Sequence, residues 1–206
     1  DRALRTLQKN YPTSDCQSRA QLHIADTHLL LENLDKALGA YRSISDNFYK
    51  SEEQDRAAYG IGVCLALKKN FVEAEEALKN FIFQFPNSDL AHKAQFELGR
   101  VLLARGYTQS AADIFTELLS ESNDLELTDS TRDLLAESYF HMGKYERSIE
   151  IDEHLLEQNL EPNILRRLAK SYQKNNQPER AVEIHAAYLQ AFSNYSDADS
   201  LALARG

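Results

Sequence analysis

The chain has 206 residues, 32 Asp and Glu against 23 Lys and Arg, and a net charge of -9. Its 29 Leu and 24 Ala far outnumber its 4 Val, and there are only 7 Gly and 4 Pro, a bias that predicts an all-α chain of one or two domains. The acidic balance argues against a nucleic-acid partner, because phosphate contacts need clustered Lys and Arg. The longest apolar run, residues 61–67, is too short to insert across a membrane.

An internal repeat runs along the chain. Its anchors are small residues spaced by 37, 37, 37 and 33 positions: Ala37, Ala74, Ala111, Ser148 and Ala181. A small residue lies twelve positions before each anchor, and apolar residues follow at helical spacing on both sides of a short polar break. Each repeat is therefore predicted to be a helix A, a tight turn and a helix B. Since one helix pair cannot bury both of its faces, neighbouring repeats must stack.

The polar breaks predict where the A helices end. In chain order they are Glu32-Asn33, Lys69-Asn70, Gly106, Gly143-Lys144 and Asn176-Gln177-Pro178. Gly, and less readily Asn, adopts the left-handed conformation that ends a helix, so the Gly and Asn residues of these breaks are predicted to adopt it. Proline suits the first turn of a helix, so Pro178 is predicted to open a B helix.

The third repeat carries the clearest family motif. It reads Glu97-Leu98-Gly99-Arg100-Val101-Leu102, followed by Ala111 and Phe115. This pattern resembles the tetratricopeptide repeat, written W-x2-L-G-x2-Y…A-x3-F…P. The Trp is missing throughout, and Asp152 and His185 occupy the Phe place in the last two repeats. The resemblance implies an all-α, right-handed superhelical solenoid of antiparallel helix pairs.

The repeat period also predicts the domain organisation, a single array over residues 1–206. Residues 1–15 are predicted to be helix B of a preceding repeat, and residues 195–206 the start of a further one, as expected for a piece of a longer array. Thr128 or Asp129 is predicted to cap helix A of the fourth repeat. The five complete repeats are predicted at 18–54, 55–91, 92–128, 129–161 and 162–194.

The sequence offers little for catalysis. No two of its six His are three or four residues apart, so no helix presents a two-His metal face, and there is no Gly-rich phosphate loop or nucleophile motif. Cys64 stands among apolar residues and is expected to be buried and unreactive. We therefore predict no metal, no cofactor and no enzymatic activity.

The resemblance implies that partners bind along the A helices, which line the concave groove of such an array. The second, fifth, ninth and twelfth places of each repeat share that face. Tyr59 and Phe96 form an apolar strip flanked by cations, although the same rings could instead pack between adjacent A helices. The predicted peptide- or protein-binding residues are Arg56, Tyr59, Lys93, Phe96, Arg100, Asp133, Glu137, Phe140, Arg166 and Lys170.

The sequence thus predicts a non-enzymatic scaffold that binds a peptide or protein segment in this groove. The alternative is a structural or self-association module, or a regulatory array of a larger protein. The joints Tyr11-Pro12-Thr13-Ser14-Asp15 and Phe85-Pro86-Asn87-Ser88-Asp89 resemble those of bacterial cell-envelope repeat proteins of the Tol-Pal-associated and outer-membrane assembly type. They favour a bacterial periplasm or cell envelope over the cytoplasm, which stays open.

Overall fold

The computed structural model describes residues 15–48, 52–121, 125–158 and 161–192. These residues form helices and no strand. The predictions for residues 1–14 and 195–206 lie outside this part of the chain. The ten helices are α1 (Asp15–Leu30), α2 (Leu34–Asn47), α3 (Gln54–Leu67), α4 (Phe71–Gln84), α5 (Ala91–Ala104), α6 (Thr108–Glu121), α7 (Leu125–His141), α8 (Tyr145–Gln158), α9 (Pro162–Lys174) and α10 (Pro178–Phe192).

The helices fall into two compact units. Unit 1 (Asp1–Gly106) contains α1–α5, and unit 2 (Tyr107–Gly206) contains α6–α10. Within each unit, every helix packs against the next one along the chain. The odd-numbered helices are the A helices, and they also touch one another within a unit. Helix α3 contacts both α1 and α5, and α7 contacts α9. The predicted all-α architecture of antiparallel helix pairs is confirmed.

Each turn from an A helix to a B helix contains one residue with left-handed backbone. These are Glu32, Lys69, Gly106, Gly143 and Asn176, with φ of 56°, 61°, 83°, 73° and 57°. In the first two repeats the left-handed residue, Glu32 or Lys69, lies one position before the Asn that was expected to adopt this conformation. The reason is the Schellman-type closure, in which the N–H of Asn70 bonds the carbonyl of Leu65 (3.0 Å) across the left-handed residue. Pro178 opens α10, as predicted.

The small residues of the repeat lie in the core. Ala37, Ala74, Ala111 and Ser148 are fully buried. A Cβ added at Gly62, twelve positions before an anchor, would lie only 2.6 Å from Cδ2 of Leu78 on the paired B helix. Small residues at these places are therefore required by the packing of α3 against α4.

Helix α7 is longer than the other nine. It begins at Leu125, so Thr128 and Asp129 lie inside it and the predicted cap at these residues is wrong. The helix therefore starts about one turn before the expected position, and Leu127 in its first turn is half-buried. None of the described helices is long and apolar enough to cross a membrane.

Candidate functional site

The predicted binding face of unit 1 is built on α3 and α5, which contact each other. Tyr59 on α3 is half-buried, and its ring centroid lies 5.9 Å from that of Phe81 on the B helix α4. Phe96 on α5 is also half-buried. Both rings are therefore partly covered, and Tyr59 packs against a B helix rather than only between adjacent A helices.

The hydroxyl end of Tyr59 lies near a charged pair on α5. Arg100 donates from Nη1 to both carboxylate oxygens of Glu97, at 3.0 Å each. Burial, helped by the Glu97 charge and opposed by Arg100, raises the pKa of Tyr59 to about 12. Tyr59 therefore keeps its proton at physiological pH and retains a hydroxyl that both donates and accepts hydrogen bonds.

A cleft of about 290 Å³ opens beside the Glu97–Arg100 pair. Leu67, at the end of α3, forms part of its apolar wall and is 50% exposed. The cleft thus combines an apolar wall with a fixed guanidinium-carboxylate pair. Its lining residues are Ala66, Leu67, Lys69, Phe71, Glu97, Arg100, Val101 and Ala104.

The other two cations predicted for this face differ in their surroundings. Arg56 on α3 is exposed and donates to Asp26 on α1 at 3.2 Å, so its guanidinium is held by the protein itself. Lys93 on α5 is exposed, and no ion pair joins it to another described residue. Arg100, in contrast, lines the cleft, where its side chain lies beside exposed apolar surface.

The predicted residues of unit 2 lie on the contacting helices α7 and α9. Asp133 accepts a hydrogen bond from Arg167 (2.7 Å), and Glu137 lies 3.7 Å from His141. Phe140 packs its ring edge-on against Tyr145 at 5.7 Å. The two cations on α9 are Arg166, half-buried and within 3.4 Å of Asn163 Oδ1, and the exposed Lys170.

Three residues that matter to these faces were missed by the sequence analysis. Glu97 could have been found from its i, i+3 spacing to Arg100. Leu67 falls one place beyond the twelfth place of its repeat, which was the last one considered. Arg167 could have been found from Asp152, since a carboxylate at a core place needs a partner.

Arg167 on α9 neutralises Asp152 on α8. Its Nε donates to Oδ1 and Oδ2 of Asp152, at 3.1 and 3.0 Å, and its Nη2 contacts Oδ1 as well. Asp152 has no exposed side-chain surface. Burial raises its pKa from 3.8 to about 6, because the hydrogen bonds and charge of Arg167 offset only part of the desolvation. The pair fills the place that the family motif gives to Phe.

The described residues show no arrangement typical of a metal site. Among them, no group of three or more His, Cys, Asp or Glu side chains is placed to hold an ion. Cys64 is buried, as expected, and burial raises the pKa of its thiol to about 11. A thiol with that pKa is a poor nucleophile near neutral pH.

Comparisons with known proteins place the chain in a family. MamA residues 41 to the end, from Desulfovibrio magneticus RS-1, superpose with a TM-score of 0.75 at 15% identity, over 87% of this chain and 97% of that one. A putative kinesin light chain from Podosopora anserina with nearly identical TPR-like repeats gives 0.69 at 16% identity, over 89% and 99%. No curated protein sequence matches. The tetratricopeptide repeat model matches residues 22–89 and 73–126, just over half of the chain. The chain therefore belongs to the tetratricopeptide repeat family.

Proposed function

We propose that this chain is a non-enzymatic scaffold that binds a peptide or protein segment of a partner on the A-helix face of unit 1. The tetratricopeptide fold is that of a protein-protein interaction scaffold. The observation that carries the choice of face is the cleft beside Leu67 and Arg100, where exposed apolar surface meets a fixed charged pair.

The apolar part of this face extends along two contacting helices. Leu30 at the end of α1 is 85% exposed and Leu67 at the end of α3 is 50% exposed, and the two occupy the same place in consecutive repeats. Leu31, which follows Leu30, is 64% exposed. Exposed apolar side chains that recur on neighbouring elements are typical of interaction surfaces, since burying each one against a partner is favourable.

The polar part of the face can orient a bound segment. Both carboxylate oxygens of Glu97 accept from the single Nη1 of Arg100, and the Arg100 side chain is still 49% exposed. Its remaining N–H groups can donate to carbonyl or carboxylate oxygens of a partner. Arginine held in place in this way is a common anchor in protein interfaces.

The test is a peptide selected by display against the wild-type chain, whose affinity is then measured for variants by fluorescence anisotropy. We expect Leu67→Glu to weaken binding about tenfold or more, because it puts a charge in place of an apolar side chain that the bound segment would cover. Arg100→Ala should weaken binding severalfold. Val72→Glu is the matched control, since Val72 is a 66% exposed apolar residue of unit 1 outside the cleft.

Equal affinities for wild type, Leu67→Glu and Arg100→Ala would overturn this choice of face. Circular dichroism of each variant checks that helicity is retained. Light scattering checks the alternative function. If molar mass rises with concentration and Leu67→Glu abolishes the rise, a second copy of the chain occupies the face in place of a partner peptide.

A further inference from the structure

Unit 2 contains a second cleft, of about 410 Å³, formed by α6, α7 and α8. Two of these helices, α6 and α8, are B helices, and none of the ten predicted A-face residues lines the cleft. Its apolar lining comes from Leu119, Leu135 and Ile151, one on each helix, and the ring of Tyr139 adds a fourth apolar surface. The volume lies within the range of about 300–1,000 Å³ that is typical of ligand pockets.

One charged side chain of α7, Arg132, belongs to the lining of the cleft. This place of the A helix holds an uncharged residue in the other four repeats: Gln21, Ala58, Gln95 and Leu165. Arg132 instead forms an i, i+3 ion pair with Asp129 (2.9 Å), and its side chain is 37% exposed. Arg132 thus adds a partly exposed cation to the lining of the cleft.

A second lining cation, Arg147, and the nearby Lys144 lie beside the Tyr139 ring of the cleft. The Arg147 guanidinium lies 5.5 Å from the centroid of the Tyr139 ring, and Lys144 Nζ lies 5.9 Å from the same centroid. Glu150 is the one carboxylate among the described residues that line the cleft. In a chain of net charge -9, an apolar cleft with cations at its edge favours an anionic ligand that carries an apolar group.

We propose that this cleft binds an acidic peptide segment of a partner protein. One bulky apolar side chain of the segment enters between Leu119 and Ile151, and flanking Asp or Glu residues pair with Arg132 and Arg147. This surface is separate from the A-helix face of unit 1, so either proposal can fail without the other.

The probe is a short synthetic peptide with a central Phe between runs of Asp and Glu, labelled with fluorescein. Two matched peptides replace the Phe by Ser or the acidic residues by Lys. We expect the acidic Phe peptide to bind the full chain at low ionic strength, and both matched peptides to bind at least about fivefold more weakly. Added salt should weaken the binding, because exposed charge pairs are screened.

Variants then locate the binding. Arg147→Glu reverses an exposed charge of the cleft, and Leu119→Gln removes part of its apolar wall; each should weaken binding at least about fivefold. Lys36→Glu is the matched control, an exposed charge reversal on α2 of unit 1 that should leave affinity unchanged. Circular dichroism confirms that each variant is folded.

Three results would overturn the proposal. The first is no binding of the acidic Phe peptide at about 1 mM. The second is the same affinity for wild type, Arg147→Glu and Leu119→Gln. The third is a concentration-dependent molar mass that Leu119→Gln abolishes, which would assign the cleft to a second copy of this chain.

Discussion

In each unit, one contact between a B helix and the following A helix, called here the joint of that unit, is filled in an opposite way. The place four residues after the anchor holds Tyr41 in the first repeat and Asp152 in the fourth, and each faces the same place of the following A helix, Gly60 or Arg167. In unit 1 a large ring fits over a glycine; in unit 2 an aspartate binds an arginine. The comparison shows that the repeat geometry determines which two places meet, whereas the sequence determines whether shape or charge holds them.

Each joint also includes a carboxylate from the preceding A helix. The Tyr41 hydroxyl donates to Asp26 on α1 (2.7 Å), which Arg56 also contacts. Arg167 donates to Asp133 on α7 (2.7 Å). The Asp26 side chain is 32% exposed, so water screens the charges of the unit 1 joint, whereas the side chain of Asp152 has no exposed surface. The unit 2 joint therefore depends far more on its ion pair.

Removing the arginine of the unit 2 joint should have the largest effect. Arg167→Met leaves the Asp152 carboxylate buried without its cation, and we expect the free energy of unfolding to fall by about 3–5 kcal/mol at pH 8. The loss should be smaller at pH 5, where Asp152 can take up a proton instead. Urea unfolding followed by circular dichroism measures both values.

Two further variants show whether the pair itself is responsible. Lys170→Met likewise replaces a cation by methionine, at an exposed position of α9, and should change the free energy of unfolding by less than about 0.5 kcal/mol. The double variant Asp152→Leu, Arg167→Met removes both charges and should recover most of the stability. A double variant as unstable as Arg167→Met would show that the arginine acts through packing alone.

The unit 2 joint should also respond to pH. Asp152 binds its proton more tightly in the folded chain, with a pKa of about 6 against 3.8 as the model value. The stabilisation is therefore complete below about pH 4 and is lost as the pH rises through 6, by about 2–3 kcal/mol.

Asp152→Asn isolates this contribution. The free energy of unfolding of wild type minus that of Asp152→Asn should fall between pH 4.5 and pH 7 and then stay level. A difference that is flat across this range would mean that Arg167 fully compensates the burial of Asp152.

The contrast between the joints also explains what the sequence could predict. The period of 37 correctly predicted the helix pairs, because small anchors and left-handed turn residues are local requirements of the backbone. The Asp152–Arg167 pair escaped prediction because its members belong to different repeats and meet only through stacking. Tyr59 and Phe96 show the same limit, since helical spacing places a ring on a face without saying how deeply the next helix buries it. Whether these faces bind a partner stays a prediction.

The smallest effect tests the shape-based joint of unit 1. A Cβ added at Gly60 would lie 2.5 Å from Cζ of Tyr41, and Tyr41 is 2% exposed, so its ring has little room to move. Overpacking of this kind costs about 1–3 kcal/mol, and the better helix propensity of Ala returns about 0.5–1 kcal/mol. Gly60→Ala should therefore lower the free energy of unfolding by about 1–2 kcal/mol in urea unfolding.

Gly39→Ala is the matched control, because Gly39 is an exposed helical glycine of unit 1 whose added Cβ would meet nothing within 4 Å. It should raise the free energy of unfolding by about 0.5–1 kcal/mol. The changes in the free energy of unfolding caused by Gly60→Ala and Gly39→Ala should be nearly independent of pH between 5 and 8, because neither substitution changes a charge. The effect of Arg167→Met, in contrast, depends on pH. If Gly60→Ala were as stabilising as Gly39→Ala, the Tyr41 ring would have to move freely, and the unit 1 joint would not be held by shape.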